Sequence, residues 1–202
     1  MKLLAEAQIT QLLDEIAAFV ERIAPASAVN GLAQLLLKLT APGVPDIYQG
    51  TDFWDFTLVD PDNRRPVDYA TRAAALGKGE SMEALAATWR DGRIKQAILA
   101  RTLDVRRLHQ DVFSEGSYEP VHVEGAMSCH VVSFIRHQGH TEVLVVAPRL
   151  PFRLMCQTGI AVDSSIWIDT VLRWTPRLSQ SGLPLAAVCS VIPVALLCTR
   201  PS

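Results

Sequence analysis

The sequence predicts an α+β protein, helical in its first half and built of antiparallel strands in its second. Two observations carry that expectation. Apolar residues recur at steps of three and four up to about residue 112, and at steps of two after Gly116. The strand-rich part holds no helix of ordinary length, so its strands are expected to pack on one another as an antiparallel β-sandwich. A boundary is therefore expected between residues 1–112 and 113–202.

Each element has its own signal. Ile9, Leu12, Leu13, Ile16, Phe19, Val20 and Ile23 share one face of a helix, which Pro25 should end because proline lacks the N–H a helix interior needs. Leu32, Leu35, Leu36 and Leu39 mark a second helix that stops at Pro42-Gly43. Val44 to Tyr48 read as a short strand, apolar on both sides of Pro45, as in a buried parallel sheet. A long polar loop follows. Pro66 suits the first turn of a helix that reaches about Leu76. Gly77-Lys78-Gly79-Glu80-Ser81 is a break, and a short helix is expected over Glu83–Trp89. Asp91 is an expected N-cap for the longest helix, about Gly92 to Gln110, with Arg101, Arg106 and Arg107 on its wet face. Beyond Gly116, strands are expected at Tyr118–Val123, His130–Arg136, Glu142–Ala147, Ile166–Asp169 and Val191–Cys198. Gln138-Gly139 reads as a tight hairpin turn, and Trp167 and Trp174 as sandwich core or edge.

Composition narrows the function classes. The 202 residues are 49% hydrophobic and 20% charged, with net charge −2. That balance offers no electrostatic attraction to nucleic acid or to a membrane surface, and no apolar run reaches membrane-spanning length. Glu6 interrupts the N-terminal apolar stretch, so no signal peptide is expected and the location is expected to be cytoplasmic. Cys129, Cys156, Cys189 and Cys198 show no paired spacing and are expected to be buried free thiols. The five histidines show no ligand spacing; His137 and His140 flank the expected hairpin and read as solvated. No metal and no cofactor is expected.

Residues 43–68 concentrate the chemistry. Asp46 and Tyr48 sit at the end of the expected strand, where barrel sites are built; they read either as sugar contacts or as a buried pair holding the strand end. Asp52 can orient a hydroxyl. Trp54, with Phe53 and Phe56, offers flat apolar faces that stack on pyranose rings or anchor the loop. Asp62, Asn63, Arg64 and Arg65, beside Asp60, form the densest polar cluster. An arginine fork can hold sugar hydroxyls or keep a carboxylate ionised. The same acids do not read as a catalytic pair, because no rigid frame sets their separation. A lone parallel strand also needs neighbours. The expected strand at 44–48 must pair with another polypeptide segment or a second copy, or the chain must adapt locally.

The stretch Ala41-Pro42-Gly43-Val44-Pro45-Asp46-Ile47-Tyr48-Gln49-Gly50 resembles the eighth barrel strand of the α-amylase superfamily (glycoside hydrolase family 13). Leu58-Val59-Asp60-Pro61-Asp62-Asn63-Arg64-Arg65-Pro66-Val67-Asp68 narrows the resemblance to the malto-oligosyltrehalose synthases. Gly92-Arg93-Ile94-Lys95-Gln96, Phe113–Tyr118, Val145–Leu150, Trp167–Thr170 and Ile192–Leu197 extend it to the C-terminus. The resemblance implies the last strand and helix of a TIM barrel followed by a C-terminal β-domain. It implies rearrangement of the reducing-end α-1,4 linkage of a malto-oligosaccharide to α,α-1,1 by a retaining, intramolecular transglycosylation. The motifs carrying that family's catalytic carboxylates are absent from this sequence, so no residue is assigned a catalytic role and the isolated chain is expected to be inactive. Arg64 and Asp62 are the leading candidates for substrate contact, with Tyr48, Asp52, Trp54, Asn63, Arg65 and Asp46 behind them. The alternatives are a fragment of another glycosidase or transglycosylase of the superfamily, and a non-catalytic glucan-binding or accessory protein.

Overall fold

A computed structural model describes residues 2–155, 159–174 and 182–199, with side chains from Gln8 onward. Its α-helices are α1 (Lys2–Thr40), α2 (Tyr69–Leu76), α3 (Met82–Ala87), α4 (Arg93–Leu108), α5 (Gln110–Ser114) and α6 (Leu185–Val188). Its strands are β1 (Ser117–Pro120), β2 (Val123–Glu124), β3 (Val131–Gln138), β4 (Thr141–Pro148), β5 (Val171–Leu172), β6 (Leu183–Pro184) and β7 (Ala195–Cys198). The fold is thus α+β, helices first and antiparallel sheets after. No described helix is long and apolar enough to cross a membrane.

The strands form two antiparallel sheets, one ordered β1-β3-β4-β7 and a smaller one ordered β2-β5-β6. β3 and β4 pair from Val131↔Pro148 to Gln138↔Thr141, leaving Gly139 and His140 as a two-residue turn. Gly139 takes φ 59, the left-handed backbone a tight hairpin needs at its first central residue. The turn lies one residue later than the sequence suggests. β4 is buried from Val143 through Pro148 because both sheet faces are covered. Val145, Ala147 and Phe134 pack with Leu32, Leu36 and Ile98 of the helices. Leu144, Val146 and Val131 pack with Leu154, Trp167, Leu172 and Leu185.

Several expectations are corrected. Pro25 does not end the first helix; α1 runs through it as one 39-residue element. A proline inside a helix costs about 3 kcal/mol, and buried Ala26, Val29 and Leu32 just beyond it supply the compensating apolar contact. Val44–Tyr48 is not a strand, since no described segment pairs with it. Asp91 does not cap α4. Gly92 occupies that position at φ 83, while Asp91 Oδ1 accepts from Arg93 N at 3.0 Å. The long helix breaks at His109, and α5 follows as a separate turn. Residues 118–123 split between β1 and β2. Ile166–Asp169 contains no strand. A 3-10 turn, Ser164–Trp167, starts at Asp163, whose Oδ1 accepts from Ser165 N at 2.9 Å. Of Val191–Cys198 only the last four residues pair with β4.

The thiols also depart from the expectation. Cys189 is buried, Cys198 is half-buried and Cys129 is exposed. Cys156 lies outside the described residues. Trp167 is buried, its Nε1 donating to Cys189 O at 3.4 Å, and Trp174 Nε1 donates to Glu142 Oε2 at 3.0 Å.

The helical and sheet parts meet at the C-terminus of α1. Arg136 of β3 is 2% exposed and donates to four backbone carbonyls: Thr40 O at 3.1 Å, Ser117 O at 3.0 Å, Phe113 O at 3.2 Å and Gly116 O at 3.0 Å. Arg106 of α4 donates to Leu39 O at 2.6 Å. It is half-buried rather than on the wet face. Burial holds both guanidinium groups below the ordinary arginine range, and Arg106 adds repulsion to Arg136.

Two outcomes follow from this packing. Arg136→Met should cost about 3 kcal/mol, a Tm fall of roughly 6–12 °C, because several carbonyls lose a charged donor at once. Arg106→Met should cost about 1 kcal/mol; thermal and urea unfolding measure both. Burial also pushes the Cys189 thiol up to about 12. Iodoacetamide at pH 8 followed by peptide mapping should therefore label Cys129 and spare Cys189 in the folded protein.

Candidate functional site

The loop between α1 and α2 carries the sequence-derived candidates, and the neighbouring helices hold it in place. Residues 44–48 run extended along α1 without a ladder. Pro45 and Ile47 are half-buried toward the helices, while Val44, Asp46 and Tyr48 are exposed. The reading of Asp46 and Tyr48 as a buried pair is therefore ruled out. The chain then turns at Tyr48–Thr51, where Thr51 N and Oγ1 both donate to Tyr48 O, at 3.2 and 2.7 Å.

The next residues are clamped. Asp52 accepts from Arg72 Nε at 2.9 Å and from Gln96 Nε2 at 2.8 Å, so both carboxylate oxygens are engaged. Arg72 also donates to Gly50 O at 3.0 Å and lies over the Phe53 ring at 4.9 Å. Trp54 is half-buried in the helical core, its Nε1 donating to Trp89 O at 2.6 Å. Lys95 Nζ donates to Phe53 O at 3.0 Å and sits 5.7 Å from the Trp54 ring. Gly92 permits this approach, since a Cβ there would lie 2.9 Å from Trp54 N. Asp52 and Trp54 thus act as the loop's anchors, held by α2, α4 and the turn after α3.

The outer half of the loop is its own unit. It contains a cis Asp60-Pro61 peptide and a 3-10 turn, Asp62–Arg64. Asp62 Oδ2 accepts from Leu58 N at 2.8 Å, and Oδ1 pairs with Arg65. Arg64 Nη2 donates to Asp60 Oδ2 at 2.9 Å, and its side chain is 70% exposed. Asn63 Oδ1 is buried and has no hydrogen-bond partner among the described residues. Asp60, Arg64 and Arg65 are the exposed groups of this cluster, while Asp62 and Asn63 are half-buried.

A cavity of about 320 Å³ opens between α1, α4 and residues 46–51, lined by Gln34, Lys38, Asp46, Tyr48, Thr51 and Lys95 among others. That is the lower end of the range for small-molecule sites. Its polar groups are an amide, a carboxylate, a phenol, a hydroxyl and two ammonium groups, which suit a polyhydroxylated ligand. Burial is the main influence pulling the Lys95 ammonium below the ordinary lysine range, with Lys38 adding repulsion. Asp46 and Tyr48 reach this cavity; Asp52, Trp54, Asp62, Asn63, Arg64 and Arg65 do not line it. Sequence reasoning missed Gln34, Lys38, Arg72, Lys95 and Gln96 as parts of the region. Only Lys95 and Gln96 carried a signal, within Gly92–Gln96. A larger cavity of about 430 Å³ lies elsewhere, between α4 and residues 187–197, with a mainly apolar lining. It offers few groups that could orient a sugar.

A helical body carrying a polar, aromatic loop, with antiparallel sheets packed against it, is the α+β frame that presents the candidate residues. Comparison with known proteins gives the particular relatives. No protein-family model matches the chain. A putative maltooligosyl trehalose synthase of Mycobacterium tuberculosis (strain CDC 1551 / Oshkosh) is 37% identical over 191 residues, 92% of this chain and 22% of the relative. The corresponding protein of strain H37Rv matches equally. The solved structure of maltooligosyltrehalose synthase from Arthrobacter ramosus is 34% identical with a TM-score of 0.67, over 93% of this chain and 24% of that one. A hypothetical maltooligosyl trehalose synthase of Sulfolobus tokodaii aligns over 68% of this chain and 18% of that one, at 31% identity and a TM-score of 0.56. The chain is a homologue of the maltooligosyl trehalose synthases and corresponds to a C-terminal portion of them. It spans less than a quarter of the length of these relatives.

The clamp gives a direct stability test. Asp52→Ala should cost about 1–2 kcal/mol and Asp46→Ala less than about 0.5 kcal/mol in urea unfolding. A double-mutant cycle of Asp52 with Arg72 should return a coupling near 1 kcal/mol.

Proposed function

We propose that this chain is the C-terminal part of a maltooligosyl trehalose synthase of the α-amylase superfamily. In this reading residues 1–112 are the end of a (β/α)8 barrel and residues 113–202 its C-terminal β-sandwich. The complete enzyme rearranges the terminal α-1,4 linkage of a malto-oligosaccharide to α,α-1,1, as an intramolecular transferase acting in the cytoplasm. The match over 92% of the chain is the observation that carries the proposal.

The chemistry fits a supporting role for this portion. A retaining transfer needs one carboxylate as nucleophile and another as acid. Asp52, Asp60 and Asp62 are each ion-paired with an arginine, which already engages their oxygens. Asp46 is exposed, with no rigid partner acid. We therefore assign the catalytic carboxylates to the part of the synthases outside the matched portion. Residues 46–65 supply contacts to the sugar that is released, turned and re-added. Arg64 and Arg65 present donors at the loop surface, and Asp46 and Tyr48 line the cavity.

Incubating the purified chain with maltopentaose should leave the reducing ends unchanged over hours; sustained loss of reducing ends would overturn the assignment. The alanine variant matching Arg64, placed in a full-length homologous synthase, should lower kcat/KM tenfold or more while Tm moves by less than about 2 °C. Unchanged kinetics would remove Arg64 from the substrate site.

A further inference from the structure

The loop that leaves the body at Gly50 returns to it at Asp68, and one side chain ties the two ends together. Helix α2 starts at Asp68, whose carboxylate accepts from Thr71 N at 3.0 Å and Thr71 Oγ1 at 2.6 Å. Helical side chains lean toward the N-terminus of their helix, so Arg72 reaches back over this first turn. Its Nη1 donates to Asp68 O at 3.1 Å, its Nη2 to Gly50 O at 3.0 Å and its Nε to Asp52 Oδ1 at 2.9 Å. All three guanidinium nitrogens are engaged, and the side chain is 20% exposed. Gln96 fastens the same joint from α4. It is buried, and its Nε2 donates to Arg72 O at 3.1 Å as well as to Asp52 Oδ2.

This joint brackets the turn that presents Tyr48. Gly50 lies inside the turn and Asp52 directly follows it. Gly50 takes φ 80, and a Cβ there would lie 3.0 Å from Val67 Cγ2, so the turn closes against the far end of the loop. Tyr69 OH donates to Gln49 Oε1 at 3.3 Å, a second tie from α2. Tyr48 itself is 45% exposed and lines the cavity beside α1 and α4, which Arg72 does not reach.

We infer that Arg72 is a positioning residue: by fixing Gly50 and Asp52 it sets where the Tyr48 ring meets the sugar that is re-added. The inference rests on the glycosyl-transfer reading. In the second half of a retaining transfer, the glycosyl carbon leaves the enzyme carboxylate and bonds to an acceptor oxygen, whose proton passes to the general base. The anomeric hydroxyl of the held glucose gives the α,α-1,1 product. Water in its place gives a shortened oligosaccharide and free glucose. A displaced Tyr48 loosens the glucose and lets water compete, so Arg72 governs the partition between transfer and hydrolysis.

Two measurements test it. In the 202-residue chain, Arg72→Met should speed chymotryptic cleavage after Phe53, whose ring Arg72 covers, tenfold or more. Cleavage after Phe56, 89% exposed, should change less than twofold. In a full-length homologous synthase that keeps the acid–arginine pair and the tyrosine, the matching Arg72→Met should raise the ratio of free glucose to trehalose-ended product from maltopentaose threefold or more. Loss of folded enzyme lowers both products together and leaves that ratio unmoved. Tyr48→Phe should raise the ratio too, and the double variant should stay within twofold of Tyr48→Phe alone. Unchanged cleavage after Phe53, an unchanged product ratio, or effects that multiply in the double variant would each overturn the inference. An unchanged ratio beside a loss for the Arg64 variant would strike Arg72 alone; no effect from either would strike the glycosyl-transfer reading as well.

Discussion

Two arginines close the C-terminus of α1, and the relation between the halves of the molecule rests on them. A helix ends with carbonyls that have no partner within it, and its dipole makes them favour positive charge. Here Leu39 O takes Arg106 from α4 and Thr40 O takes Arg136 from β3. Both guanidinium groups also lie over the Phe113 ring, at 4.8 and 5.8 Å. One aromatic therefore sets the positions of two cations that would otherwise repel. Arg136 continues to the carbonyls of Phe113 and Gly116, where helix gives way to sheet. A Cβ at Gly116 would lie 2.3 Å from Val112 O, so the chain can turn there only with glycine.

That junction lets one core serve both parts. With α1 and α4 held against β4, the face bearing Val145 and Ala147 closes the helical cluster. The opposite face closes over Trp167 and Leu185. The candidate site depends on the same framework, because α4 supplies Gln96 to Asp52 and Lys95 to Phe53 O. Side chains that orient α4 by packing therefore also set where residues 50–54 sit. The outer turn at 60–65 is different. Its ion pairs are internal and mostly exposed, so they shape the turn without tying it strongly to the body.

What was legible in the sequence follows from the range of the interactions involved. The periods of 3.6 and 2 revealed the order of helices and strands, because each reflects burial of one face. The Gly139 hairpin was legible to within one residue because a left-handed turn is a local requirement. The family was legible in residues 41–68, whose order of residues is long and particular. Pro25 misled because its cost is local while its compensation is tertiary. Ile166–Asp169 misled for the same reason: the buried Trp167 and the Asp163 turn outweigh β-propensity. Arg72 and Gln96 were invisible as site components because they come from separate helices, twenty and forty-four residues from Asp52.

Residues 44–47 show how far sequence and structure agree even where the assignment to a strand fails. Their alternation is that of a strand, with Pro45 and Ile47 turned to the helices and Val44 96% exposed. Their backbone makes no hydrogen bond with any described residue. A buried strand satisfies its polar backbone through neighbours; an exposed one can use water. The side-chain pattern therefore encodes an environment with two covered faces, while the observed packing supplies one. The same mismatch recurs on α1, where Ile9, Leu12, Leu13, Ile16, Phe19 and Val20 are each about half exposed. Both segments carry more apolar patterning than their contacts within the described residues use, which is why interaction with further polypeptide is the physical theme common to them.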